Sequence, residues 1–343
     1  MSARIRAMVL PALVAALVAA LAAGVTPCEA QGVPTPPNPP SPVSVPRSPR
    51  PPRAPRVHFG GDEGVARIDT VVPFSASGTI ELSLVSGTMK LSTWDRNQVR
   101  VIASTSGEPS LQFDASSSHL SLEQSRNGRG SRNGDDVGSA TYEVTVPTGS
   151  RATLSAVSGS ITASGVRGPV DVNTVSGSVD VRDLGSTLNV EGVSGDITAA
   201  NVANDARVEN VSGRVSLSGV GGSASAETVS GSIRLSGVRG DRVHVTTVSG
   251  DLDFAGPVSS TGRYEFETHS GRTNLRLAGN ADVAISVETF SGSVSNDYPG
   301  AVRRRNSDSG DDGTNYDYVI GRGAGRMHVE TFSGSVHISQ GNQ

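Results

Sequence analysis

An all-β solenoid is the predicted fold of this 343-residue chain, and three features predict it. A Ser-Gly pair returns every 18 residues, an apolar set returns with it, and nothing beyond residue 57 keeps the 3.6-residue period of a helix. The pairs begin at Ser158, Ser176, Ser194, Ser212 and Ser230. They continue at Ser249, Ser270 and Ser291, spaced 19, 21 and 21, and end at Ser333 after 42 more. A β-helix-like stack of coils of about 18–21 residues is expected, with two short strands per coil and no α-helix outside a signal peptide.

Counting each coil from its serine as zero, the apolar positions are +3, +5, +8, +12, +14 and +17. In the first coil these are Ile161, Ala163, Val166, Val170, Val172 and Val175. All 24 such positions in the four strict 18-residue repeats are apolar, where a bulk hydrophobic content of 35% gives about eight, so the pattern is built in. Each half-coil carries one alternating pair, the mark of a strand with one buried face. Gly and Ser fill the corners, as in Val175-Ser176-Gly177 and Val166-Arg167-Gly168. Apolar residues six apart, which a left-handed hexapeptide helix wants, are absent. So is the Gly-Gly-x-Gly-x-Asp turn of a calcium β-roll: position +2 reads Ser160, Ser178, Asp196, Arg214, Ser232 and Asp251. No metal and no other cofactor is expected.

Ahead of the solenoid stand two other segments. Arg4 and Arg6 precede the apolar run Ala7–Ala23, and Cys28-Glu29-Ala30 offers a small-x-small exit, so residues 1–30 read as a signal peptide cleaved near Ala30. Export to the periplasm, cell surface or medium is the expected localisation. Residues 31–57 read as an extended linker: eleven prolines fall among Gly32–Arg56. Arg47, Arg50, Arg53 and Arg56 recur every third residue, which on a three-per-turn polyproline helix aligns them along one edge. That edge suits contact with an anionic envelope surface. Removing Arg4, Arg6, Glu29 and the four linker arginines leaves 23 basic against 32 acidic residues. A body of −9 is a poor partner for nucleic acid.

The solenoid is expected over 58–343, with a diverged part at 64–157, regular coils at 158–294, a loop insertion at 295–326 and a terminal coil at 327–343. Ser86 begins a diverged copy, 72 residues before Ser158. Leu120–Gln124 and Tyr142–Val146 read as two strands joined by a loop that holds Ser-Arg-Asn-Gly at Ser125 and Ser131. Val-Glu-Thr-Phe-Ser-Gly-Ser-Val occurs from Val287 and again from Val329. Phe290 and Phe332 stand there at +17, so a wider core and a capping role are expected.

The run Val85-Ser-Gly-Thr-Met-Lys-Leu-Ser-Thr-Trp-Asp-Arg-Asn-Gln-Val-Arg-Val101, followed by Val-Ser-Gly-Ser/Asp-Ile/Val coils, resembles the bacterial putative-adhesin β-solenoid domains of unknown function. The likeness spans roughly Gly64 to Ser339, and the Pro/Arg arm and the loop before the last coil depart from it. The resemblance implies a non-enzymatic surface protein with no catalytic residues to carry over. Some relatives belong to envelope-stress systems that meet antimicrobial peptides.

Chemistry-bearing patterns are few. Position −3 is Glu191, Glu209, Glu227, Glu267, Glu288 and Glu330, interrupted by Thr246, and should form a solvent-facing acidic column. Stacked at about 4.8 Å, neighbouring carboxylates repel by about 0.9 kcal/mol in water. Such a column is the candidate partner-binding stripe, or else a charged face that blocks lateral stacking. Thr174, Thr228, Thr247, Thr268, Thr289 and Thr331 run beside it as a β-propensity ladder. The histidines His58, His119, His244, His269, His328 and His337 lack metal-ligand spacing, and His269 takes an inward place. Asp308 to Gly313 reads as a polar loop. The expected function is an exported binding or adhesion surface at the bacterial envelope for a polymer, peptide or protein. The alternatives are a component that senses cationic peptides through the acidic column and a polysaccharide-active enzyme in a solenoid groove.

Overall fold

In the computed structural model the described residues are 67–106, 110–125, 138–304 and 314–341. The expected signal peptide and linker, His58, the Ser131 part of the long loop and Asp308–Gly313 lie outside them. Every element is a strand, twenty-three in all among the described residues.

The regular coils behave as the repeat requires. One series of strands is β8 (Val170–Ser176), β10 (Leu188–Ser194), β12 (Ala206–Ser212), β14 (Ala224–Ser230) and β16 (Arg242–Ser249). The other is β9 (Val179–Leu184), β11 (Ile197–Val202), β13 (Val215–Val220), β15 (Ile233–Ser236) and β17 (Leu252–Gly256). Each strand pairs in parallel with its equivalent one coil away, giving two ladders that face each other. Register is one coil per rung: Val172 pairs with Val190 and Val190 with Val208, and all three are buried. A fully buried valine contributes about 1.5–3 kcal/mol, and the interior is a continuous column of such residues. Where the core widens, Phe254 packs against Tyr264 and Phe266, with centroids 6.0 and 5.4 Å apart.

Both ends depart from sequence order. The long strand β2 (Thr79–Trp94) pairs directly with β7 (Arg151–Ser164), so the copy at Ser86 lies one rung from Ser158 rather than four. The intervening chain folds outward as a cap. β5 (His119–Ser125) and β6 (Ala140–Pro147), where strands are expected, flank β2 on its outer side. Antiparallel strands close both ladders there, β4 (Ser110–Ala115) on β5 and β3 (Gln98–Thr105) with β1 (Arg67–Pro73) on β6. At the other end β23 (Gly325–Gln340) inserts between β18 (Arg263–Leu277) and β19 (Val283–Thr289). The last coil in sequence is therefore the penultimate one in space. The 295–326 stretch is not all loop: β20 (Ser293–Asn296) runs into it, and β21 (Val302–Arg304) and β22 (Thr314–Ile320) form an antiparallel cover over β19.

Two corners set the coil. The glycine after the serine takes a positive φ at Gly87, Gly159, Gly177 (139°), Gly195 (131°), Gly213 and Gly271. A Cβ on Gly195 would overlap the carbonyl oxygen of Gly177, and one on Gly177 that of Gly159. At the opposite corner, position +7 is left-handed in Gly165, Asp183, Asn201, Gly219 and Gly237. Short Asp and Asn tolerate that conformation, and Asn201 donates its Nδ2 to Asp183 Oδ1 at 2.8 Å.

The structure corrects the sixth inward position. Alternation runs on through +12, +14 and +16, so the Thr ladder faces the core: Thr174, Thr228, Thr247, Thr268, Thr289 and Thr331 are buried. Position +17 turns outward. Val175 is half-buried, and His269, Phe290 and Phe332 are exposed, so none of these three widens the core. The Thr174, Thr228, Thr247, Thr289 and Thr331 hydroxyls have no hydrogen-bond partner among the described residues. Asn210, on the same column, donates to the carbonyls of Gly195 (3.0 Å) and Ser212 (2.9 Å), and its neighbour Gly192 leaves the room it needs.

The turn between β22 and β23 is pinned by Asp282. Its Oδ1 accepts from the backbone N–H of Arg322 (2.7 Å) and Ala324 (3.2 Å). The Ala324 N–H, helped by those of Arg322, holds this carboxyl below the usual carboxylate range.

Replacing Gly195 by Ala is expected to cost about 3 kcal/mol or more in chemical denaturation, whereas Gly237→Asn stays within about 1 kcal/mol. Thr247→Val should leave stability unchanged or raise it by up to about 1 kcal/mol, while Asn210→Ala lowers it by about 1–3 kcal/mol by removing the two hydrogen bonds that Nδ2 donates to the Gly195 and Ser212 carbonyls. A depressed folded pKa makes the Asp282 contribution complete above the unfolded value of about 3.9 and lost as pH falls through the lower folded one. Amide-exchange protection at Arg322 and Ala324 should therefore fall on acidification below about pH 4, and Asp282→Asn should abolish that dependence.

Candidate interaction face

The two ladders present different outer faces. On the ladder that holds β9 to β17, acids and bases on neighbouring rungs pair and neutralise one another. Arg214 lies 3.7 Å from Asp196, Arg234 3.2 Å from Asp253, and Arg272 3.8 Å from Asp251. On the opposite ladder two columns, at −3 and −1, stack largely like on like.

Its −3 glutamates fall on one line in space, in an order the sequence conceals. Register pairs Glu191 with Glu209, Glu209 with Glu227, Glu227 with Thr246 and Thr246 with Glu267. Glu267 then pairs with Glu330, and Glu330 with Glu288. All six candidate glutamates thus lie on one line of seven rungs, broken only at Thr246. The insertion of β23 places Glu330 between Glu267 and Glu288.

The line has two electrostatic halves. In the first, Arg207 Nε donates to Glu209 Oε1 at 2.7 Å, and its terminal nitrogen reaches Glu227 at 3.6 Å. The hydrogen bond to Glu209 raises the Arg207 pKa above its ordinary value. Repulsion along these rungs is relieved from within. In the second half Glu267, Glu330 and Glu288 form no ion pair among the described residues. His244 Nδ1 stands 3.5 Å from Glu265, one column across.

Two residues further along every strand runs an apolar column of Val157, Val175, Val193, Val211, Val229 and Val248, followed by His269, Phe332 and Phe290. Three of the five exposed large hydrophobics among the described residues fall on it: Val157 (50%), Phe332 (48%) and Phe290 (56%). The Phe332 ring stacks on His269 on one side and Phe290 on the other, at 4.8 Å and 6° in both cases. That separation is the rung spacing itself. The sequence showed these residues, but their apolar character placed them in the core. The alternation from +12 is the signal that points them outward.

On the other side of the acidic column lies a shallow groove of about 510 Å³, lined by Arg263, Glu265, Ser286, Asp317, Arg326 and His328. No three His, Cys, Asp or Glu side chains converge as a metal cluster among the described residues. The face offers chemistry for recognition: carboxylates in line, an apolar ridge beside them, and a groove of mixed character whose walls also include Tyr264, Ile285, Tyr318 and Met327.

Among solved structures the chain is similar to a putative cell adhesion protein from Clostridium sporogenes ATCC 15579. The identity is 11%, covering 80% of this chain and 100% of that one, with a TM-score of 0.25. It is likewise similar to a putative adhesin from Parabacteroides distasonis ATCC 8503, at 11% identity over 82% of this chain and 99% of that one, with a TM-score of 0.24. No curated protein matches the chain. The Toastrack DUF4097 family model matches residues 67–227 and 223–339, across the caps, the regular coils and the inserted last coil alike. The chain belongs to the Toastrack DUF4097 family.

Proposed function

We propose that this chain is an exported, non-enzymatic solenoid whose like-on-like ladder presents a binding or adhesion surface at the bacterial envelope. One observation carries the reading: an exposed apolar column, aromatic at one end, lies directly beside a line of carboxylates on an otherwise soluble, acidic body. Exposed apolar surface rimmed by polar residues marks interaction sites. Export rests on the Arg4/Arg6 and Ala7–Ala23 signal, which would leave a mature chain beginning at Gln31.

A second reading is favoured by the C-terminal half of the acidic line. Glu267, Glu330 and Glu288 stand on successive rungs without a cation of their own among the described residues, which suits a cationic peptide.

The purified chain is expected to be retained on isolated bacterial envelopes, and Phe290→Ser/Phe332→Ser should lower the bound fraction about fivefold or more. Both rings are exposed, so thermal unfolding of this variant should match the parent. Equal retention of the two proteins would overturn the reading. Mass spectrometry of secreted material should give an N-terminus at Gln31.

A further inference from the structure

The ridge and the acidic line together have a spacing, and the spacing selects a partner. Rungs lie about 4.8 Å apart, so every second rung is about 9.6 Å apart. Taking alternate rungs from Glu191 gives Glu227, Glu267 and Glu288, a glutamate each time. The rungs skipped are Glu209, already bonded to Arg207, then Thr246, then Glu330. A polyproline II strand turns once in three residues and about 9.3 Å. A basic residue at every third position of such a strand would therefore meet one of these four glutamates in turn, with about 0.9 Å of mismatch over three turns. The position ahead of each basic residue would fall over the apolar column, whose Val229, Val248, His269, Phe332 and Phe290 offer a proline there the aromatic and aliphatic bed it favours.

The chain carries one sequence with that repeat: Pro46-Arg-Ser-Pro-Arg-Pro-Pro-Arg-Ala-Pro-Arg56, four arginines at intervals of three. Four cations then match four carboxylates in number, sign and interval. We propose that the occupant of this face is the Pro46–Arg56 segment of a second copy of this chain. The assembly is head-to-tail in kind, since the two surfaces that meet are different parts of the same molecule. Glu267 and Glu288, which have no ion pair among the described residues, would gain one. The inference rests on the ridge being a binding surface and adds the identity of what binds there.

A fluorescent synthetic peptide of residues 46–56 tests it by anisotropy. The target is the full chain carrying Arg47→Gln, Arg50→Gln, Arg53→Gln and Arg56→Gln, so that unlabelled copies of the segment do not compete. Saturable binding at low salt is expected. It should weaken about tenfold in Glu227→Gln/Glu267→Gln and no more than about threefold in Glu209→Gln/Glu330→Gln, although each pair removes two charges. A peptide of the same composition with arginine at every second residue should bind about tenfold more weakly, and so should the parent peptide to Phe290→Ser/Phe332→Ser. In sedimentation the parent chain should associate with rising concentration, and the four-arginine variant should not. Equal losses in the two glutamate pairs would show charge without register and overturn the proposal, as would absence of saturable binding. If the peptide fails while envelope retention still depends on Phe290 and Phe332, the partner is wrong and the binding surface stands.

Discussion

Glycine lying against glycine is the contact on which this molecule depends. Gly159, Gly177, Gly195 and Gly213 stack so closely that a methyl group on any of the last three would enter the carbonyl of the one before. The serine-glycine corner therefore packs glycine on glycine from coil to coil, and each coil can advance only by one rung. Hydrogen bonding sets that advance at about 4.8 Å, and the corner sets its phase. Once both are fixed, a side chain at a given position sits directly over its counterpart. The valine interior, the threonine column and the glutamate line are three readings of one register.

Stacking like on like has opposite consequences on the two sides of a strand. Inside, apolar residues stack on apolar ones, and size varies along the column, as in Leu188 on Ala206, Val243 on Tyr264 and Gly192 beside Asn210. Outside, identity concentrates a property. One ladder avoids this by alternating Asp196 with Arg214 and Arg234 with Asp253. The other accumulates carboxylates and apolar groups, relieved in part by Arg207. The part of that line beyond Arg207, at Glu267, Glu330 and Glu288, is left without an ion pair among the described residues.

The architecture was legible because it is local. Two strands per coil, the inward places +3, +5, +8, +12 and +14, and the outward glutamates all follow from counting. The sixth inward place was misread because Val175 and its equivalents are apolar while Thr174 is not. Composition outvoted alternation, and alternation was right. The left-handed corner at +7 also left a trace, the column Gly165, Asp183, Asn201, Gly219, Gly237, which are residue types that tolerate positive φ. What could not be read was the order of rungs at the ends. Nothing within Val329–Val336 says that it lies between two segments some forty and sixty residues earlier, because every coil offers the same edge to every other. Proximity of Glu330 to Glu267 is a property of that insertion and of no local pattern.

The same insertion bears on how the molecule closes. A middle coil finds its neighbour 18 or so residues back. The end cannot. Strands β18 and β19 both take a parallel partner from β23, which lies far along the chain from each, although β22 already covers the other edge of β19. Joining that end therefore demands long-range closure, and loss of β23 would leave the edge of β18 unpaired.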